Sequence, residues 1–238
     1  MRHNNNPKNK KGFLDFQRRQ LELSRLTEQE ARRARIESNL EKWVDSLPDV
    51  LKYARPTNIP KSLIEKIKNI PLKPPYDKQV ILIANNPTVS TFTAYSILYA
   101  LIRSGIATPS EIKKTSLMDG YNNINGMFNS RRWKDYFFDE HSKVLLIEGS
   151  SKSLTYLGPK GEDQFWRELN NFVRNQDKLV IITYTTDSVE KDKELFVPVL
   201  TNDTELNKGL IKKSIFVPIT AEEEEEIETK QEKAYRKL

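Results

Sequence analysis

Five short strand-like runs limit what this chain can fold into more than any other feature. They are QVILIA (79–84), KTSLMD (114–119), KVLLIEG (143–149), LVIITYT (179–185) and SIFVPI (214–219). Between them lie helix-like patterns at 89–104, 122–138, 161–175 and 204–211. A strand that is apolar without alternation must be covered on both faces of its sheet. Helices between such strands supply the crossovers that parallel pairing needs. The expected fold class is therefore α/β, with a parallel central sheet at about 79–220.

The flanks read differently. Residues 1–11, MRHNNNPKNKK, are polar and basic, and are expected to form a disordered tail. Residues 12–45 contain no proline and only Gly12, and they are rich in Leu, Glu, Gln and Arg, which predicts helix. Thr27 followed by Glu30 is a capping-box spacing, so two helices are expected to meet near Leu26. Residues 46–78 carry prolines at 48, 56, 60, 71, 74 and 75 and read as a connector with a short helix near Pro60–Ile70. The last segment, 221–238, has its acids first and its bases last, as a helix dipole favours.

Composition removes whole classes of chemistry. With no cysteine and only His3 and His141, disulfides, thiol catalysis and cysteine zinc sites are excluded, and a His-based triad or metal site would rest on His141. The apolar runs are too short to span a bilayer, and no apolar N-terminal segment reads as a secretory signal, so no membrane partner and a cytoplasmic location are expected. A formal net charge of +6 permits contact with nucleic acid or an acidic partner without requiring either.

The chemistry-bearing candidates follow the strands. After the first comes NNPTVSTFT, a strand-turn-helix layout with the outline of a phosphate-binding loop. In such a loop glycines let the backbone wrap phosphates, a lysine neutralises them and a hydroxyl binds magnesium. Here Asn85 and Asn86 stand in the glycine region, and Ser90, Thr91 and Thr93 fall near the hydroxyl position, with no lysine in either register. The third strand ends in Glu148, where a Walker B acid would hold magnesium or orient water. The fourth, after FWRELNNFVRNQDK, ends in Thr185, a polar residue at a sensor-1-like position.

These three units, with KWVDSLPDVLKYARPTNIP ahead of them, resemble the DnaC/DnaI-type replicative helicase loaders of the AAA+ family over about residues 43–186. The resemblance implies a P-loop/AAA+-like core, a helical extension that contacts a replicative helicase or another ring-shaped replication protein, and single-stranded DNA contacts from the core. It suggests a protein of phage or mobile-element style. Glu148 and Thr185 match the family pattern, whereas the Walker A residues do not and no sensor-2 arginine is evident. The reading is therefore a degenerate, non-hydrolysing core with no cofactor, neither ATP nor magnesium.

Partner-binding candidates on the extension are Phe13, Phe16, Leu23, Leu26, Ile36, Leu40 and Trp43, beside the basic clusters Arg18/Arg19 and Arg32/Arg33/Arg35. Candidates for nucleic-acid contact are Arg131, Arg132, Trp133 and Lys152, where guanidinium and ammonium groups would meet phosphates and the ring would stack on a base. A clamp-loader-like or structural subunit would share the same degenerate core, and two readings of other classes also stay open. One is a nucleotide-independent single-stranded nucleic-acid-binding protein. The other is a metal-dependent α/β enzyme that uses Glu148 and Asp187.

Overall fold

The computed structural model describes residues 7–70, 76, 78–116, 142–150, 166–167, 178–185 and 204–236. The chain opens with a long helix α1 (Pro7–Asp45), then a short α2 (Asp49–Lys52) and α3 (Lys61–Lys68). The sheet elements follow as β1 (Gln79–Ala84), α4 (Pro87–Arg103), β2 (Ile112–Ser116), β3 (Val144–Ser150) and β4 (Leu179–Thr185). Last come α5 (Thr204–Lys212), β5 (Ser214–Pro218) and α6 (Ala221–Tyr235).

All strand pairs are parallel, in the order β2-β3-β4-β1-β5. Residues one apart on a strand face opposite sides, so Val80, Leu82, Val144, Leu146, Leu179 and Ile181 share one face. That face packs on Phe92, Leu98 and Leu101 of α4 in one apolar cluster. Ile81, Ile83, Leu145, Ile147, Val180 and Ile182 on the other face are also buried. Both faces are covered, which is why the strands read as unbroken apolar runs. β1 and β4 have the bounds their sequence pattern predicts, β3 and β5 differ by one residue, and β2 lies two residues earlier than expected. Among the described residues β2 pairs only with β3, and of its residues Ile112 and Thr115 alone are buried, so its sequence carries a weak signal.

Three expectations about the flanks need correction. α1 is one helix of 39 residues, about 58 Å long at 1.5 Å per residue, and it already includes residues 7–11. Thr27 caps nothing: its hydroxyl donates to the carbonyl of Leu23 at 2.9 Å, one turn back in the same helix. With good helix formers on both sides, continuing the helix keeps its backbone bonds, whereas a new start would forfeit them. The Pro-rich stretch is also more than a connector, because Leu47, Ala54, Ile59, Leu63, Ile70 and Tyr76 are buried in the main cluster. The helices expected at 122–138 and 161–175 lie outside the described residues, apart from Trp166 and Arg167, which are helical.

Candidate functional site

The turn from β1 into α4 is built by Asn86 and Pro87. Asn86 is the N-cap of α4, and its side-chain oxygen accepts from the backbone N–H of Thr88 at 2.8 Å. Pro87 takes the first helical position, where no N–H is needed. The hydroxyls that would face a magnesium ion are spent on the helix instead. Ser90 donates to the Pro87 carbonyl at 3.0 Å and Thr93 to that of Val89 at 2.9 Å, and both residues are fully buried. Thr91 is half-buried.

A carboxylate of the chain itself sits on this turn. Glu224 of α6 accepts from the backbone N–H of Asn85 at 2.6 Å and of Asn86 at 3.4 Å through one oxygen, and it is 9% exposed. Glu228, one turn further along α6, accepts from the Asn86 side-chain amide at 2.6 Å. Backbone N–H groups at a helix N-terminus attract anions, and here the anion is supplied intramolecularly.

Neighbouring bonds place Glu224. Thr220 is the N-cap of α6 in a reciprocal capping box with Glu223. Glu223 also accepts from Ser62 at 2.6 Å and Lys66 at 2.8 Å on α3. Burial pushes its carboxyl up, but the bonds from Lys66, Ser62 and the Thr220 N–H outweigh this and hold it below its ordinary value. Ile227 is fully buried one turn on. Sequence reasoning took 221–238 for a charged helix or tail and missed Glu223 and Glu224. The Thr-x-x-Glu spacing at 220–223 was the available signal for the helix start, but nothing local marks Glu224 as a ligand of the loop.

Glu148 lies two residues before the end of β3, beside Ser116 of β2 and Thr183 of β4, on the face that meets α4. The Tyr95 hydroxyl of α4 donates to its carboxylate. Burial first, then the Glu148 charge and bond, push the Tyr95 phenol well above its ordinary value. Two groups pack on the Tyr95 ring: Trp43 of α1, with ring centroids 6.0 Å apart and planes at 24°, and the Lys114 ammonium 5.3 Å from the ring centre. Burial lowers the Lys114 pKa, partly offset by Glu148. Thr185 lies between Ala84 of β1 and Ser150 of β3, and its buried hydroxyl has no hydrogen-bond partner among the described residues.

The partner-binding candidates divide. Trp43 is 4% exposed and stacks in the core, a correction to its expected role; a ring this large covers the gap between α1 and α4 better than it would serve a surface. Leu40 packs against the same core, and Ile36 contacts Gly105 after α4. Phe16, Leu23 and Leu26 are more than half exposed, together with Leu21, which sequence reasoning passed over. Phe13 is in α1, where only the backbone is described. Arg131, Arg132, Trp133, His141, Lys152 and Asp187 lie outside the described residues. Among the described residues no group of acids and histidines could hold a metal ion, and no helix is long and apolar enough to cross a membrane. A scan against protein-family models gives no match, and a search of curated proteins gives none.

Proposed function

We propose that this chain is a helicase-loader-like replication protein of the DnaC/DnaI type, with a P-loop/AAA+-like core that no longer turns over nucleotide. The observation that carries the second half is the Glu224 carboxylate on the Asn85 and Asn86 amides, where a phosphate would have to lie. A triphosphate brought to this turn would meet that carboxylate, find no lysine, and face hydroxyls already bonded to helix carbonyls. Charge repulsion and the missing donors oppose it together. The residues present do not suit ATP and magnesium.

The sheet order supports the framework. β4 separates the strand that leads into the loop from the strand that carries Glu148, as expected of AAA+-type cores, and this is an argument from fold analogy. The exposed Phe16, Leu21, Leu23 and Leu26 support the partner role. Residues 16–35 of α1 are exposed throughout, and a helix with large apolar side chains in water offers a surface for another protein.

Co-sedimentation of the full chain with a hexameric replicative helicase, alongside a Leu23→Asp/Leu26→Asp variant, tests the partner role. Association lost in the variant with an unchanged melting temperature is the expected outcome; equal association by both removes it. Magnesium-dependent ATP turnover that collapses in Glu148→Gln would overturn the inactive-core reading.

A further inference from the structure

A second site, apart from the loop, lies where α1 crosses the turn after α4. Arg32, Arg35 and Asn39 of α1 line one side of a pocket of about 170 Å³, with Ile102 and Thr108 opposite. Gly105 forms the floor at φ +68°, and the Arg32 guanidinium lies 3.5 Å from where a Cβ would stand on it. No carboxylate lines the pocket, and among the described residues neither guanidinium has an ion-pair partner.

Capping α4 does not account for these arginines. Three of the last four carbonyls of α4 are already served: Ala100 accepts from the Ser104 N–H and hydroxyl, Leu101 from the Ile106 N–H and Ile102 from the Gly105 N–H. The nearby acid Glu111 is occupied by the Thr108 N–H at 2.8 Å, by the Thr108 hydroxyl at 3.0 Å and by Lys143 at 2.6 Å. Two guanidiniums a turn apart and an amide therefore line a space that none of the described residues fills, while the Thr108 hydroxyl at its edge is already bonded to Glu111.

We propose that this pocket binds a phosphate group. Guanidinium forks match the oxygens of a tetrahedral oxyanion better than ammonium groups do. At roughly 30 Å³ per water the pocket has room for about five or six waters, enough for one phosphate but below the ~300 Å³ at which small-molecule pockets begin. The group is either inorganic phosphate or one phosphate of a polynucleotide whose remainder lies outside the pocket. The proposal does not rest on the loader reading.

Two titrations test it on the full chain: inorganic phosphate by calorimetry, and a fluorescein-labelled oligothymidylate by anisotropy at low and moderate salt. Arg35→Gln and Arg35→Gln/Asn39→Ala should weaken binding at least tenfold. Arg33→Ala, exposed on α1 and outside the pocket, should match the parent chain. Arg32 is left intact because it packs on Gly105, and melting temperatures confirm that the variants fold. Phosphate binding alone assigns the site to the free ion, and oligonucleotide binding that depends on Arg35 assigns it to a polymer; either sustains the proposal. Neither ligand binding, or binding indifferent to Arg35, overturns it. The Leu23→Asp/Leu26→Asp variant should bind phosphate normally, so failure of the loader reading leaves this result readable.

Discussion

Replacing Glu223 with alanine removes the junction that holds α6 against α3 and sets Glu224 on the loop. The carboxylate accepts from Ser62 at 2.6 Å, from Lys66 at 2.8 Å and from the Thr220 N–H at 2.9 Å, at 6% exposure. Losing the capping-box bond from the Thr220 N–H costs about 1 kcal/mol, while Thr220 itself still caps the helix. The Ser62 hydroxyl bond is to a charged acceptor, but Ser62 is exposed and water replaces the lost partner, so it adds only about 1 kcal/mol. The Lys66 pair is discounted, because the lysine side chain is 34% exposed and keeps its bond to the Pro218 carbonyl; about 1 kcal/mol is the appropriate scale. The sum is about 3 kcal/mol, or roughly 6–12 °C in melting temperature for a chain of this size. Urea unfolding followed by circular dichroism should show a lower midpoint at unchanged slope. The pH dependence supplies a second check. Because the folded pKa is depressed, the stabilisation is complete above the ordinary value of 4.5 and is lost as pH falls through the folded value. The gap between parent and Glu223→Ala should therefore close on acidification. A neutral-pH difference under about 0.5 kcal/mol, or a gap that widens in acid, would refute the reasoning.

Gly105→Ala should destabilise by about 1–2 kcal/mol, since φ is +68° and the new Cβ would stand 2.9 Å from Ile36 Cδ1. Adding Ile36→Val should recover part of that loss in thermal melts by removing the crowding methyl. Trp43→Ala should cost about 3–5 kcal/mol, whereas Leu23→Ala should stay within about 0.5 kcal/mol; paired urea melts of the two variants check the division of α1 into a packed end and an exposed end. Tyr95→Phe should cost about 1–2 kcal/mol by leaving Glu148 without its hydroxyl donor, measured the same way.

Two of the Thr-x-x-Glu spacings in this sequence mark the limit of local reading. Thr27–Glu30 and Thr220–Glu223 carry the same signature, yet only the second starts a helix. Thr220 follows β5 with its own backbone still extended (φ −76°, ψ 160°), as an N-cap requires, while Thr27 follows residues that are already helical. Likewise Trp43 and Leu23 look alike as apolar residues on a charged helix, and only packing against α4 separates them.

From its sequence alone this protein declares its layers: unbroken apolar runs require a sheet covered on both faces, and β1 and β4 carry that pattern in their own residues. Asn86 and Pro87 likewise announce the start of α4 through local chemistry. What tertiary structure decided are the pairings between distant groups. Glu224 reaches Asn85 across 139 positions, and Tyr95 on α4 meets Glu148 on β3. A glutamate in an acidic run has the same local pattern whether it faces water or a loop amide, so only the packing of α6 onto the fold selects its partner.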